Sequence, residues 1–252
     1  MWEKELEVAK YAAVKAGEAI MEIYNSADFG IEYKKDNSPL TVADKASNAI
    51  IVEMLKAHFP EYAILSEEEQ DNLSRLENEL CFVVDPLDGT KEFIKRNGEF
   101  TVNIALAHNQ VSVMGVIYVP VTGELYFASE GAGAYLQMKE DEVKSLHVSD
   151  NIDISTLRVV MSSSHGCPQM DELLEKYHLT NFVKKGSSLK GCMIASGEAD
   201  IYYRHNPTME WDTAAMQCIV SRKERTVHMA AADGSSPRNN TGDARDRVFL
   251  RT

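Results

Sequence analysis

The run Leu80-Cys81-Phe82-Val83-Val84 leads directly into Asp85-Pro86-Leu87-Asp88-Gly89-Thr90, and no other stretch restricts the fold as strongly. The apolar residues make a buried strand, ended by the acid and the proline. Lys91-Glu92-Phe93-Ile94-Lys95-Arg96 reads as a short helix that Asn97-Gly98 stops. Two carboxylates therefore lie where a buried strand turns into a helix N-terminus. Such a turn presents backbone N–H groups to an anion, beside acids that can hold a metal. That combination suits a phosphate ester bound through a divalent cation.

Around this stretch the texture changes twice. Upstream it is helical: apolar residues recur at helical spacing over 2–24, and a second helix runs from Thr41 or Val42 to His58. Residues 31–40 between them read as a polar loop, and Ala63-Ile64-Leu65 as a short strand running into Ser66-Glu67-Glu68-Glu69-Gln70. Downstream, Phe100–Ala107, Val111–Val119, Glu124–Ala128, Gly131–Gln137 and Val143–Val148 form a series of short strands with hairpin joints, an antiparallel meander. From about Ser149 strands and helices alternate, with helices over Pro168–Tyr177, Ser187–Ser196 and Asp212–Val220 and strands at Leu157–Met161, Asn181–Val183, Ala199–Tyr203 and Thr226–Met229. The tail from Ala230 reads mostly as loop, with Val248-Phe249-Leu250 its apolar anchor. The expected class is α+β in layers, an antiparallel-sheet half over 1–148 and a smaller α/β half over 149–252.

Composition narrows the function. The chain of 252 residues is 44% hydrophobic and 26% charged, ordinary for a globular protein with a sizeable core. A net charge of −13 argues against a nucleic-acid polymer as partner. It leaves room for a small phosphorylated substrate, because a bound cation inverts the local sign. No apolar run is long enough for a transmembrane segment, and the charged N-terminus lacks a signal-peptide core. Cys81, Cys167, Cys192 and Cys218 are scattered among apolar or small residues, as expected of free thiols in a reducing cytoplasm.

Acids recur at element boundaries: Asp44, Glu67-Glu68-Glu69, Asp85 with Asp88, and Asp212. Sites in layered α/β folds are usually built at such boundaries. Each has a plainer explanation. Thr41-x-x-Asp44 is a helix capping box, the three glutamates a solvated turn, and Asp212 an N-cap. Asp85 and Asp88 resist it, because an acid after five apolar residues is partly buried, and burying it unpaired is expensive. Phosphatases of the haloacid-dehalogenase type offer a rival, with an aspartyl nucleophile in D-x-D-G-T. Here the motif is one residue longer, which changes how its two acids point relative to each other.

Taken together, Asp44, Leu65-Ser66-Glu67-Glu68, Asp85-Pro86-Leu87-Asp88-Gly89-Thr90 and Trp211-Asp212 resemble the lithium-sensitive, Mg²⁺-dependent phosphatases of the inositol monophosphatase superfamily. Asn37-Ser38-Pro39-Leu40-Thr41, the run from Lys91 to Thr101 and Gly186-Ser187-Ser188-Leu189-Lys190 are most similar to its bacterial 3′(2′),5′-bisphosphate nucleotidases of the CysQ type. The likeness extends to about Met216. It implies an αβαβα sandwich of the inositol monophosphatase/fructose-1,6-bisphosphatase type. It also implies hydrolysis of adenosine 3′,5′-bisphosphate to AMP, with the sulfated analogue as a related substrate. Inositol or fructose phosphates, and a non-catalytic metal- or nucleotide-binding regulator, stand as the alternatives.

The resemblance also implies roles. Glu67, Asp85 and the Leu87 carbonyl would hold one Mg²⁺, and Asp85, Asp88 and Asp212 a second, with a third, weaker ion near Glu67. Thr90 and Asp44 would orient and deprotonate the attacking water, while the Gly89 and Thr90 N–H groups bind the scissile phosphate. Ser187, Lys190, Arg204 and His165 would contact the nucleotide. Homodimers are common in the family. A cytoplasmic location follows, with attachment to the cytoplasmic face of the inner membrane left open.

Overall fold

The computed structural model describes residues 1–26, 29–34, 38–138, 142–164, 166, 168–204, 208–221, 228–230, 245–246 and 249–251, the side chains beyond 221 excepted. Two long helices open the chain, α1 (Glu3–Tyr24) and α2 (Val42–His58), separated by the two-residue strands β1 (Glu32–Tyr33) and β2 (Pro39–Leu40). β1 and β2 pair antiparallel, so the stretch expected to be a plain loop is a small hairpin. Then come β3 (Ala63–Ser66), β4 (Leu80–Asp88), α3 (Thr90–Ile94), β5 (Thr101–His108), β6 (Val111–Val119), β7 (Glu124–Ser129), β8 (Gly133–Met138) and β9 (Glu142–Ser145). The strands β3 to β9 lie side by side in chain order as one seven-stranded sheet. All its pairs are antiparallel except β3 with β4, which is parallel.

The second half supplies β10 (Val159–Ser162), α4 (Pro168–Lys176), β11 (Phe182–Lys185), α5 (Leu189–Ala195), β12 (Ile201–Tyr203), β13 (Thr208–Met209) and α6 (Glu210–Ser221). With β14 (His228–Ala230) and β16 (Phe249–Arg251), β10, β11 and β12 form a five-stranded sheet, while β15 (Arg245–Asp246) pairs with β13. α1 and α2 cover one face of the large sheet, α5 and α6 lie between the two sheets, and α4 packs outside the smaller one. The result is the expected five-layer αβαβα sandwich. Among the described residues no helix is long and apolar enough to cross a membrane.

Both faces of the large sheet are buried, which explains the unbroken apolar run of β4. Phe82 and Val84 point into the core under α1 and α2, while Cys81 and Val83 point into the core shared with α5 and α6. Alternation therefore sends Asp85 toward α6. The strand does not stop at that acid, as its sequence suggested, but continues to Asp88. Asp85 lies opposite Asn103 and Asp88 opposite Thr101, so three residues of β4 answer two of β5 across a bulge. The bulge turns Leu87 into the α1/α2 core and brings Asp88 to the same face as Asp85. The spacing of the motif works because of this irregularity.

The placement of α6 has an equally local cause. Ala105, Gly115 and Ala128 stand abreast on three neighbouring strands. A Cβ built on Gly115 would lie 2.4 Å from the Ala215 carbonyl oxygen. Ser112 Oγ donates to the Ala214 carbonyl at 2.8 Å. This row of small residues lets the helix lie against the sheet, and Asp212 is carried in its first turn. Gly115→Ala is expected to cost about 1–3 kcal/mol, because the obstacle is backbone rather than a flexible side-chain end. Urea unfolding of the variant measures it, and an unchanged midpoint would refute this account of how α6 is seated.

Candidate active site

A cleft of about 540 Å³ opens where β4, α3, the turn before α5, β12 and the start of α6 meet. Asp85 and Leu87 reach it from β4, with Asp88, Gly89 and Thr90 following at the strand-to-helix turn. Glu67 enters from the end of β3, Asp212 from α6, and Ser187, Lys190 and Arg204 from the smaller half. The fold thus brings to one place ten of the twelve residues singled out in the sequence. Asp44 makes an eleventh, lying behind the wall and bonded to Thr90. His165 lies outside the described residues.

Three carboxylates form the centre. Asp85, Asp88 and Asp212 present oxygens that all lie within 4.8 Å of one another. Asp85 is 1% exposed and Leu87 N donates to its Oδ1 at 3.1 Å. Burial, then the charges of Glu67, Asp88 and Asp212, push its carboxyl well above the usual range. Asp212 is pushed up by burial and by Asp88, against the opposing pull of Arg204 and the Thr208 hydroxyl. The helix begins at Glu210, two residues earlier than expected, so Asp212 is not an N-cap. Instead its Oδ2 accepts from the Thr208 hydroxyl and, at 3.1 Å, from Met209 N.

Glu67 stands beside this group. Burial raises its carboxyl to about 7, with Glu68 and Asp212 adding to the effect and Lys34 opposing it. The Lys34 ammonium lies 2.7 Å from Glu67 and 2.6 Å from Glu68. Burial alone would pull that ammonium down, but the two carboxylates hold it well above its ordinary value. The acidic turn is therefore divided: Glu69 is exposed, while Glu67 and Glu68 are partly enclosed around one cation.

Asp44 does two things at once. Its Oδ2 accepts from Thr41 N at 2.7 Å and Thr41 Oγ1 at 2.5 Å, closing a capping box at the start of α2. Its Oδ1 accepts from Thr90 Oγ1 at 3.0 Å. It is 2% exposed, and burial raises its carboxyl against the pull of Thr41 and Thr90. A raised carboxyl behind a hydroxyl suits the passing of a proton. Gly89, at φ +97°, makes the turn between Asp88 and Thr90, and a Cβ there would lie 2.9 Å from the Glu99 carbonyl oxygen.

On the other wall, Lys190 is not the solvated helix lysine its type suggests. It is 4% exposed, donates to the Ser187 carbonyl and lies over the Tyr202 ring at 5.5 Å. Arg204 approaches Asp212 at 4.0 Å. Ser187 Oγ donates to Asp88 Oδ2 at 2.8 Å and is 2.7 Å from Thr101 Oγ1.

Some members of the site were missed in the sequence. Lys34 sat in a polar stretch with nothing to distinguish it from Lys35. Thr101 and Asn103 had a signal: they are the polar positions on the alternate face of a strand whose Val102, Ile104 and Leu106 are apolar. Both are buried here.

Comparison with known proteins identifies the family. Residues 1–223 match the inositol monophosphatase family. A 3′(2′),5′-bisphosphate nucleotidase CysQ from Buchnera aphidicola is 42% identical over 222 residues, 87% of this chain and 82% of the relative. Its Salmonella typhimurium counterpart is 42% identical over 229 residues, 88% of this chain and 89% of the relative. The crystal structure of CysQ from Bacteroides thetaiotaomicron, described as a bacterial member of the inositol monophosphatase family, superposes with a TM-score of 0.85 at 40% identity, covering 99% of this chain and 97% of its own. That family is in general Mg²⁺-dependent. The chain belongs to the inositol monophosphatase family.

Proposed function

We propose that this chain is a Mg²⁺-dependent 3′(2′),5′-bisphosphate nucleotidase, which hydrolyses adenosine 3′,5′-bisphosphate to AMP and phosphate and acts likewise on the sulfated analogue. The observation that carries it is the convergence in one cleft of the Asp85, Asp88 and Asp212 carboxylates, the Thr90–Asp44 pair and the cations Lys190 and Arg204. Relatives of about 40% identity that bear this activity's name support the choice of substrate.

The donor set fits Mg²⁺. It is all oxygen, it comes from separate elements, and burial together with neighbouring carboxylates raises the Asp85 and Asp212 carboxyls, a repulsion that a hard dication would relieve. Glu67, Asp85 and the Leu87 carbonyl would hold one ion and Asp85, Asp88 and Asp212 another, with a weaker third near Glu67. When bound, such ions neutralise phosphate charge and make water acidic enough to attack. The chain's own part is positional. Thr90 accepts a hydrogen bond from the water and passes its proton toward Asp44 Oδ1 through the 3.0 Å bond. The Gly89 and Thr90 N–H groups face the scissile phosphate, while Lys190 and Arg204 receive the second phosphate or the sulfate. No covalent phosphoenzyme forms.

A non-catalytic metal-binding protein would have no use for the Thr90–Asp44 pair. Inositol 1-phosphate would leave Lys190 and Arg204 without a second anion. Competition between adenosine 3′,5′-bisphosphate and inositol 1-phosphate decides substrate class, and preference for the inositol phosphate would overturn the assignment.

Asp85→Asn is expected to abolish turnover, since it removes the ligand common to both ions. Near-normal turnover with metal retained would sink the reading. Thr90→Ala should lower kcat about 10²–10⁴-fold, the range for a lost proton-transfer group, with Mg²⁺ affinity unchanged. Loss of metal instead would place Thr90 among the ligands.

Protons and Mg²⁺ compete for the same oxygens. Glu67 titrates near 7 in the folded metal-free protein, and its unfolded value lies near the ordinary carboxyl range. This raised value contributes stability that is present at low pH and is lost as pH rises through about 7. The Mg²⁺-induced rise in Tm should therefore be larger at pH 8 than at pH 6, and an equal rise at both would refute the competition.

A further inference from the structure

The Asp88 carboxylate is gripped in an unequal way. Ser187 Oγ at 2.8 Å, Ser188 Oγ at 2.8 Å and Asn103 Nδ2 at 3.3 Å all donate to Oδ2, and none of the three falls on Oδ1. One carboxylate oxygen has about two lone-pair sites, so three donors more than occupy Oδ2. The donors are themselves held. Asn103 Nδ2 also donates to Ser188 Oγ at 2.9 Å, and Thr101 Oγ1 donates to Asn103 Oδ1 at 2.8 Å. Asn103 and Ser188 are 1% exposed, while Asp88 and Ser187 are half-buried in the cleft wall.

Two of the donors come from the smaller half, and the backbone is shaped to deliver them. Ser187 sits at φ +52°. Gly186 before it has no room for a Cβ, which would lie 2.7 Å from Glu92 Cγ and 2.9 Å from the Glu99 carbonyl oxygen. The Glu99 carboxylate accepts from Gly186 N at 2.8 Å. An unfavourable backbone conformation kept beside a charged ligand argues that the hydroxyl's position matters.

We propose that Asn103, Ser187 and Ser188 are positioning residues that hold Asp88 by Oδ2, so that Asp88 offers a cation Oδ1 alone and the turn before α5 sets the metal affinity of the site. The inference rests on the metal reading given above. It makes Ser187 a part of the metal centre as well as of the substrate wall. Groups that orient a ligating carboxylate or imidazole typically change metal affinity by about 10–100-fold when removed.

Mg²⁺ titration by calorimetry, without nucleotide, tests it on the full chain. Asn103→Leu and Ser188→Ala should each bind Mg²⁺ about 10–100-fold more weakly than wild type. At saturating Mg²⁺ their KM for adenosine 3′,5′-bisphosphate should stay within about twofold of wild type, the shift falling on the Mg²⁺ requirement instead. Ser187→Gly separates positioning from plain structural support. Glycine takes a positive φ freely, so the metal-free Tm should hold while Mg²⁺ affinity falls. That variant and Ser188→Ala carry the test if Asn103→Leu fails to fold. Wild-type binding with all folded variants unchanged overturns the inference alone. No Mg²⁺ binding by wild type overturns the metal reading, and the inference with it.

Discussion

Mutual repulsion of buried carboxylates is the constraint that the rest of this structure answers to. Asp85, Asp88 and Asp212 approach within 4.8 Å, and Glu67 is close enough to raise Asp85 further. Two like charges at that distance repel by about 3 kcal/mol even at an effective dielectric constant near 20. Several such pairs would be comparable with the whole stability of a domain, about 5–15 kcal/mol. The protein meets this partly through the raised Glu67, Asp85 and Asp212 carboxyls, whose neutral forms burial and mutual repulsion favour. It also uses its own cations, with Lys34 between Glu67 and Glu68 and Arg204 beside Asp212. A site kept in this state without a metal is one that a dication stabilises on arrival. The same feature makes an overall charge of −13 compatible with an anionic substrate.

Such acids can be held together only by a rigid frame, and the frame is made of small residues and one irregularity. β4 fills a core on each face, so its position is determined from both sides. The bulge after Asp85 then lets two acids three apart face the same way. Opposite them, Ala105, Gly115 and Ala128 bring α6 down until Asp212 reaches the pair. The core continues from the large sheet through α5 and α6 to Val160 and Tyr202 of the smaller one. Packing therefore fixes both walls of the cleft to the same frame.

Much of this was legible before any coordinates. The periods of α1 and α2, the meander and the alternating second half follow from hydrophobic spacing, a short-range property. What could not be read is what depends on meeting across the fold. The pairing of β3 with β4 is parallel and the short β1–β2 hairpin is held by two residues a side, so neither has a strong local signature. The bulge appears only when β5 is laid against β4. Lys34 acquires significance from a partner 33 residues away, which no local pattern encodes, whereas the alternation of β5 marked Asn103 without naming its partner. Lys190 lies in the cleft wall where the resemblance put it, but its burial had no local signal: its type is usually exposed, and here the Ser187 carbonyl and the Tyr202 face supply what water would.

The plain and the chemical explanations of Asp44 were never true alternatives. A carboxylate at the third position of a helix turns one oxygen back to the cap and leaves the other pointing away from the axis. In Asp44 the first oxygen closes the box with Thr41 and the second takes the Thr90 hydroxyl. Asp212 repeats the arrangement, with Oδ2 bound to Thr208 and Met209 at the start of α6. Asp85 is held by Leu87 N on Oδ1, and Asp88 by its donors on Oδ2. Asp85, Asp88 and Asp212 are therefore each held by donors on one named oxygen, while Asp44 is bonded through both. Capping is the means by which two helices aim a carboxylate at a common point without spending the oxygen that does the chemistry. Deciding between cap and site from sequence amounts to choosing between two oxygens of the same residue, and this fold uses both.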